Sequence, residues 1–200
     1  MKLSIAKLKT FVLPVFLMLS MPLAAEEGVG SENWTFANYG KNACGSADVK
    51  EKVMTINTSN TKNAFNEADE YSFAFKPQDF AHDDCSRCEI EVTVDSVRKG
   101  SAGIMMRSSD RPEASNVHLE ATSMGDLFVF FRSKNGGSTS YKRVGYISFP
   151  VNIKLTRQGN SFMSHYKDSE GNWVKGPTVF VDLGDKHLAG FYACSGNDNQ

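Results

Sequence analysis

Apolar side chains in this chain recur with a period of two, in short runs separated by turn clusters. That pattern places alternate residues on opposite faces of a strand and leaves no continuous stripe for a helix. The runs cover residues 53–57, 71–75, 89–97, 102–107, 116–122, 127–134, 151–157, 161–167, 178–183 and 188–194. Between them stand Lys99-Gly100, Asp110-Arg111-Pro112, Gly125-Asp126, Asn135-Gly136-Gly137, Gly159-Asn160, Gly171-Asn172 and Gly184-Asp185, which supply the backbone conformations that turns need. Only residues 60–68 suggest a short helical turn. Many short strands with close turns in one chain predict an all-β antiparallel sandwich or barrel. Of the 200 residues, 40% are hydrophobic and 22% charged, which suits one soluble domain with a real core.

The first 25 residues read differently. Lys2, Lys7 and Lys9 precede an apolar run from Phe11 to Ala25, broken by Pro14 and Pro22, and Glu26-Glu27 follow. This is the pattern of a secretory signal peptide cleaved after Ala25, and the run is too short for a membrane span. The expected organisation is a signal peptide over 1–25, a short exposed segment over 26–31, one domain over 32–196 and a frayed tail over 197–200. An exported protein, periplasmic or secreted, with no membrane span after processing is the expectation. The whole chain carries a net charge of −1. Removing three lysines and no acid leaves 19 basic and 23 acidic side chains, a net charge of −4. Nothing in that balance points to a nucleic-acid partner.

Four cysteines, Cys44, Cys85, Cys88 and Cys194, all follow the leader. An even number in an oxidising compartment predicts disulfides. Three connectivities are open, and the favoured one joins Cys85 to Cys88 and Cys44 to Cys194. Cys85-Ser-Arg-Cys88 also has the spacing of a redox motif, but a strand-like run follows it where that motif opens a helix. A single such pair is a weak zinc motif, and no His follows it to attach haem. The four histidines form no metal-binding pair, and no EF-hand, nucleophile elbow or phosphate-binding loop occurs. No metal, cofactor or catalytic residue is assigned.

Three segments resemble a known superfamily. They are Ala102-Gly-Ile-Met-Met-Arg-Ser-Ser109, Phe149-Pro-Val-Asn-Ile-Lys-Leu-Thr-Arg-Gln-Gly-Asn160 and the run from Phe162 to Trp173, with Leu188-Ala-Gly-Phe-Tyr-Ala193 closing. Together they resemble the concanavalin A-like lectin/glucanase superfamily, in the branch of secreted laminin-G-like domains of the "regulation of enolase" type. The resemblance implies a jelly-roll sandwich of two curved antiparallel sheets, with a concave face open to a ligand. Asn152 stands where that family often has Trp, and the turn after Asp168 is longer than the family's tight form.

Alternation then sorts the strands. Ile104, Leu119, Phe131, Ile153, Leu155 and Phe162 point one way, with Phe73, Phe75, Val92, Val94, Tyr166, Val181 and Phe191 also expected in the core. The opposite sets are more polar. They gather Arg107, His118, Glu120, Phe128, Phe130, Arg132, Asn152, Lys154 and His165 as a candidate ligand-binding surface. Aromatic rings beside guanidinium and amide groups suit a sugar, whose C–H faces stack and whose hydroxyls hydrogen-bond. The expected function is a non-catalytic binding module for a glycan or cell-envelope polysaccharide. The alternative is a periplasmic structural or protein-interaction domain, with an envelope protein as partner. A glycosidase is disfavoured. Glucanases of the superfamily carry Glu-x-Asp-x-x-Glu, and Glu89-Ile-Glu-Val-Thr-Val94 ends on Val.

Overall fold

The computed structural model describes residues 2–6, 34–50, 53–61, 69–79 and 87–196. Its elements are β1 (Lys2–Ala6), β2 (Thr35–Asn38), β3 (Cys44–Lys50), β4 (Val53–Ser59), β5 (Ser72–Asp79), β6 (Arg87–Ser96) and β7 (Ser101–Arg107). There follow β8 (Asn116–Thr122), β9 (Asp126–Arg132), β10 (Ser140–Tyr146), β11 (Val151–Gln158), β12 (Ser161–Lys167), β13 (Trp173–Phe180) and β14 (Lys186–Cys194). No helix is present among the described residues. The strands make two seven-stranded antiparallel sheets. Sheet A runs β13-β12-β11-β6-β1-β4-β3 and sheet B runs β10-β9-β8-β7-β14-β5-β2. The protein is all-β, as the alternation predicts, and a jelly-roll sandwich, as the resemblance implies.

Period-two alternation decides which side chains meet between the sheets. Ile104, Leu119 and Val129 stand opposite one another across β7, β8 and β9. Val92, Ile153 and Val151 come from β6 and β11, and Ile56 from β4. All are buried in one cluster with Phe162 and Phe191. Each such side chain contributes about 1.5–3 kcal/mol by leaving water.

The other face of sheet B is also largely buried. Tyr39, Tyr71, Phe73, Phe75, Met105, Tyr192 and Cys194 form a second cluster there. Phe73 and Phe75 therefore belong to this outer layer rather than to the main core, because they stand opposite Tyr192 and Gly190. Two glycines let neighbouring strands approach closely. A Cβ on Gly103 would lie 1.9 Å from the Leu119 carbonyl oxygen, and one on Gly190 2.0 Å from that of Ala74.

Several expectations need correction. A strand that the pattern did not show, β10, lies after Asn135-Gly136-Gly137 and pairs with β9. The strand expected at 178–183 is displaced to β13. Residues 2–6, inside the expected leader, form a strand between β4 and β6. Cys44 and Cys194 are not joined: Cys44 is an exposed free thiol on sheet A and Cys194 a buried one on sheet B. Burial pushes the Cys194 thiol up to about 11, away from reactivity. Cys85, the proposed partner of Cys88, lies outside the described residues, and no disulfide forms among the described cysteines. Most of the leader, the segment 26–31, the helical turn expected near 60–68 and the tail 197–200 also lie largely or wholly outside them.

Candidate functional site

The nine candidate residues do not share one surface. Arg107, His118, Glu120, Phe128, Phe130 and Arg132 lie on the outer face of sheet B. Asn152, Lys154 and His165 lie on the outer face of sheet A. Alternation identifies the face of a strand but not the sheet that holds it, and the sandwich puts these two sets on opposite sides.

Two of the six on sheet B are committed elsewhere. Arg107 and Arg132 are fully buried. Arg107 Nη1 lies 3.0 Å from Asp69 Oδ2, and Arg132 Nη2 lies 2.8 Å from Asp69 Oδ1. Tyr71 donates from its hydroxyl to Asp69 Oδ2 at 2.6 Å. Arg107 Nε also donates to the Ser109 carbonyl at 2.6 Å, and Arg132 Nη1 to the Pro112 and Ala114 carbonyls. The Tyr39 ring lies 4.6 Å from the Arg107 guanidinium. These contacts engage both guanidinium groups inside the protein and lock the 108–115 loop down. Removing Asp69 would leave two buried cations short of an anion, a loss of about 3–5 kcal/mol.

The remaining residues of this face open into a cleft of about 490 Å³. Glu120 lies at its floor, and Phe128, Phe130 and Tyr141 line it together with Thr122 and Asp126. The three rings form a continuous cluster. Phe128 meets Phe130 edge-on at 5.9 Å and Tyr141 edge-on at 5.7 Å, and Phe130 lies 5.5 Å from Tyr141. Phe130 is buried beneath, whereas Tyr141 is 56% exposed. Arg143 extends the ladder along β10, 5.3 Å over Phe128 and 4.7 Å over Tyr146. Its Nη2 lies 3.3 Å from Asp126 Oδ1. Met124, 87% exposed, stands at the rim. Sequence reasoning missed Tyr141 and Asp126. Tyr141 belongs to a strand whose Lys, Arg and Gly disguise the alternation.

The floor holds a buried polar relay. Asn116 Nδ2 donates to the Ala114 carbonyl at 3.1 Å, which leaves Asn116 Oδ1 as acceptor for His118 Nδ1 at 3.1 Å. His118 therefore carries its proton on Nδ1 and turns a bare Nε2 toward Glu120 Oε2, 3.8 Å away. Tyr192 donates from its hydroxyl to the same Oε2 at 2.8 Å, crossing the gap left by Gly103. Burial, aided by Arg132 and Arg107, lowers the His118 pKa from 6.5 to about 3. Burial likewise raises that of Glu120 from 4.5 to about 7. His118 stacks on Phe130 at 5.0 Å and 5° and meets Tyr192 edge-on at 4.9 Å. This relay holds Glu120 in place beneath the aromatic cluster.

The other three candidates lie beside a different ring. Lys154 Nζ lies 4.3 Å from the centroid of Trp173, and Asn152 Nδ2 donates to Thr93 Oγ1 at 2.9 Å. His165 stands directly across from both Lys154 and Lys175. Pattern reading missed Trp173 as part of this face, because β13 was expected to begin after it.

No family model matches the chain, and no curated protein matches its sequence. Among solved structures it is similar to a functionally unknown protein from Saccharomyces cerevisiae, with a TM-score of 0.59 and 17% identity over 80% of this chain and 86% of that one. It is also similar to the carbohydrate binding module CBM66 from Bacillus subtilis, with a TM-score of 0.47 and 13% identity over 81% of this chain and 88% of that one. Peanut lectin bound to a nine-residue peptide gives a TM-score of 0.45 and 11% identity, over 84% of this chain and 91% of the lectin. The yeast protein shares the fold, and the likeness extends no further than that.

Proposed function

We propose that this protein is an exported, non-catalytic module that binds a glycan, such as a cell-envelope polysaccharide, in the cleft on the outer face of sheet B. The observation that carries this reading is the cluster of Phe128, Phe130 and Tyr141 lining a cleft over the Glu120 carboxyl. A pyranose has apolar C–H faces that lie against rings and a rim of hydroxyls that need donors and acceptors. Tyr141 and Phe128 supply the first, and Glu120, Thr122 and Asp126 the second.

The resemblance of residues 102–109 and 149–160 to concanavalin A-like domains supports the same reading, down to the laminin-G-like "regulation of enolase" type. The leader-like run up to Ala25 supports export. A binding role is also supported by Val94, which stands where the glucanase pattern places its last carboxylate and is buried in the core.

A glycan array with the protein lacking residues 1–25, repeated with Tyr141→Ala and Phe128→Ala, tests the reading. Loss of one stacking ring costs about tenfold in affinity or more. Binding to no glycan, or binding unchanged in both variants, would overturn it.

A further inference from the structure

We propose a second carbohydrate site on the opposite side of the sandwich, where Trp173, Lys154 and Lys167 on the outer face of sheet A receive an acidic sugar of the hexuronate class. This site shares no residue with the cleft and stands or falls separately from it.

Strand register brings its parts together. Lys154 on β11, His165 on β12 and Lys175 on β13 stand directly opposite one another across three neighbouring strands. Lys167 stands opposite Trp173 in the same way. Residues directly opposite in antiparallel strands project from the same face. Lys154 Nζ lies 4.3 Å and Lys167 Nζ 5.3 Å from the centroid of the Trp173 ring. The indole attracts both ammonium groups and holds two like charges close to each other. No described carboxylate lies within ion-pair distance of Lys154, Lys167 or Lys175. Glu91 on β6 stands directly opposite Lys154 without reaching ion-pair distance, and Glu89 is engaged by Arg87 and by Thr156 Oγ1 at 3.0 Å.

His165 lies between the two lysines of its row. Burial, aided by Lys154, lowers its pKa, so the ring adds no positive charge there. Two ammonium groups gathered over a ring suit one carboxylate on a pyranose. Trp173 is 37% exposed, so part of the indole remains open to the sugar's C–H face. The charge density selects the ligand class. Duplex DNA carries a charge about every 1.7 Å and needs an extended basic surface. A chain with one carboxylate per ring matches a small cationic cluster on a protein whose net charge is −1.

The test uses oligomers of polygalacturonate and their methyl esters as probes, with calorimetry between about 50 and 300 mM NaCl. The acid form should bind, and the neutral ester about tenfold more weakly or worse. Lys154→Gln with Lys167→Gln should cost about tenfold and lower the salt slope by about two. Trp173→Ala should weaken binding while keeping that slope, because the charges remain but are no longer held together. Lys50→Gln with Lys186→Gln removes the same net charge away from the site and should leave binding unchanged. The melting temperature of each variant checks its fold. Failure of polygalacturonate to bind, an equal loss in the Lys50/Lys186 variant, or duplex DNA binding as tightly as the uronate would each overturn the proposal.

Discussion

Glu120 and His118 face each other in the floor of the cleft, and their proton linkage runs in opposite directions. Glu120 titrates near 7 in the folded protein against an ordinary 4.5. Its contribution to stability is full below pH 4.5 and is lost as pH rises through 7. His118 titrates near 3 against 6.5. Its contribution is full above pH 6.5 and is lost as pH falls through 3. Between these ordinary values, unfolding releases a proton from the glutamic acid and adds one to the imidazole, so the two slopes cancel. Chemical denaturation across pH should therefore give a plateau from 4.5 to 6.5, with stability falling on the acid side. In His118→Gln the plateau should be replaced by a loss of about 3 kcal/mol between pH 4.5 and 7. In Glu120→Gln the stability should instead rise steadily from pH 3 to 6.5. Parallel profiles for all three proteins would contradict this account. At this scale the sequence was a partial guide. Arg107 and Arg132 read as ligand donors because they alternate with apolar residues, yet their charges are spent on Asp69 and on loop carbonyls. Only folding brings Asp69 between them, 63 residues before Arg132 in sequence.

The strands that the pattern located well lie inside the sheets, and those it missed or displaced lie at the edges. β3 and β13 end sheet A, and β2 and β10 end sheet B. β10 reads Ser-Tyr-Lys-Arg-Val-Gly-Tyr and β13 contains Gly176-Pro177. Lys, Gly and Pro at an edge discourage pairing with another chain and also break the alternation by which a strand is recognised. β11 keeps a clean alternation because sheet B buries one of its faces. β1 is a different case. It fills the position between β4 and β6, yet it lies within the segment proposed to be cleaved on export. Met54, Ile56, Val92 and Val94 on the flanking strands are buried in the core shared with sheet B. The protein lacking residues 1–25 should therefore still fold, with an antiparallel β circular dichroism spectrum. Its amides in β4 and β6 that face β1 should exchange with solvent faster than those of β8. Failure of that protein to fold would mean that β1 is a permanent part of sheet A.

For the whole molecule, two sheets share one apolar layer and leave two outer faces with different chemistry. Sheet B presents rings over a buried carboxyl, and sheet A presents ammonium groups over an indole. Tyr141 and Trp173 on the edge strands were missed, whereas the nine candidate residues were legible as outward positions on alternating strands. Their division between opposite sides was not, because it depends on the order of strands in each sheet, and hydrophobic periodicity carries no information about that order. The central claim is that a glycan occupies the sheet B cleft. The most direct measurement is a two-dimensional amide NMR titration with an oligosaccharide selected by the array. The account predicts shifts concentrated at Glu120, Thr122, Asp126, Phe128 and Tyr141 that saturate with one affinity and vanish in Tyr141→Ala. Saturable shifts confined to other parts of the molecule, with these five residues unmoved, would contradict it.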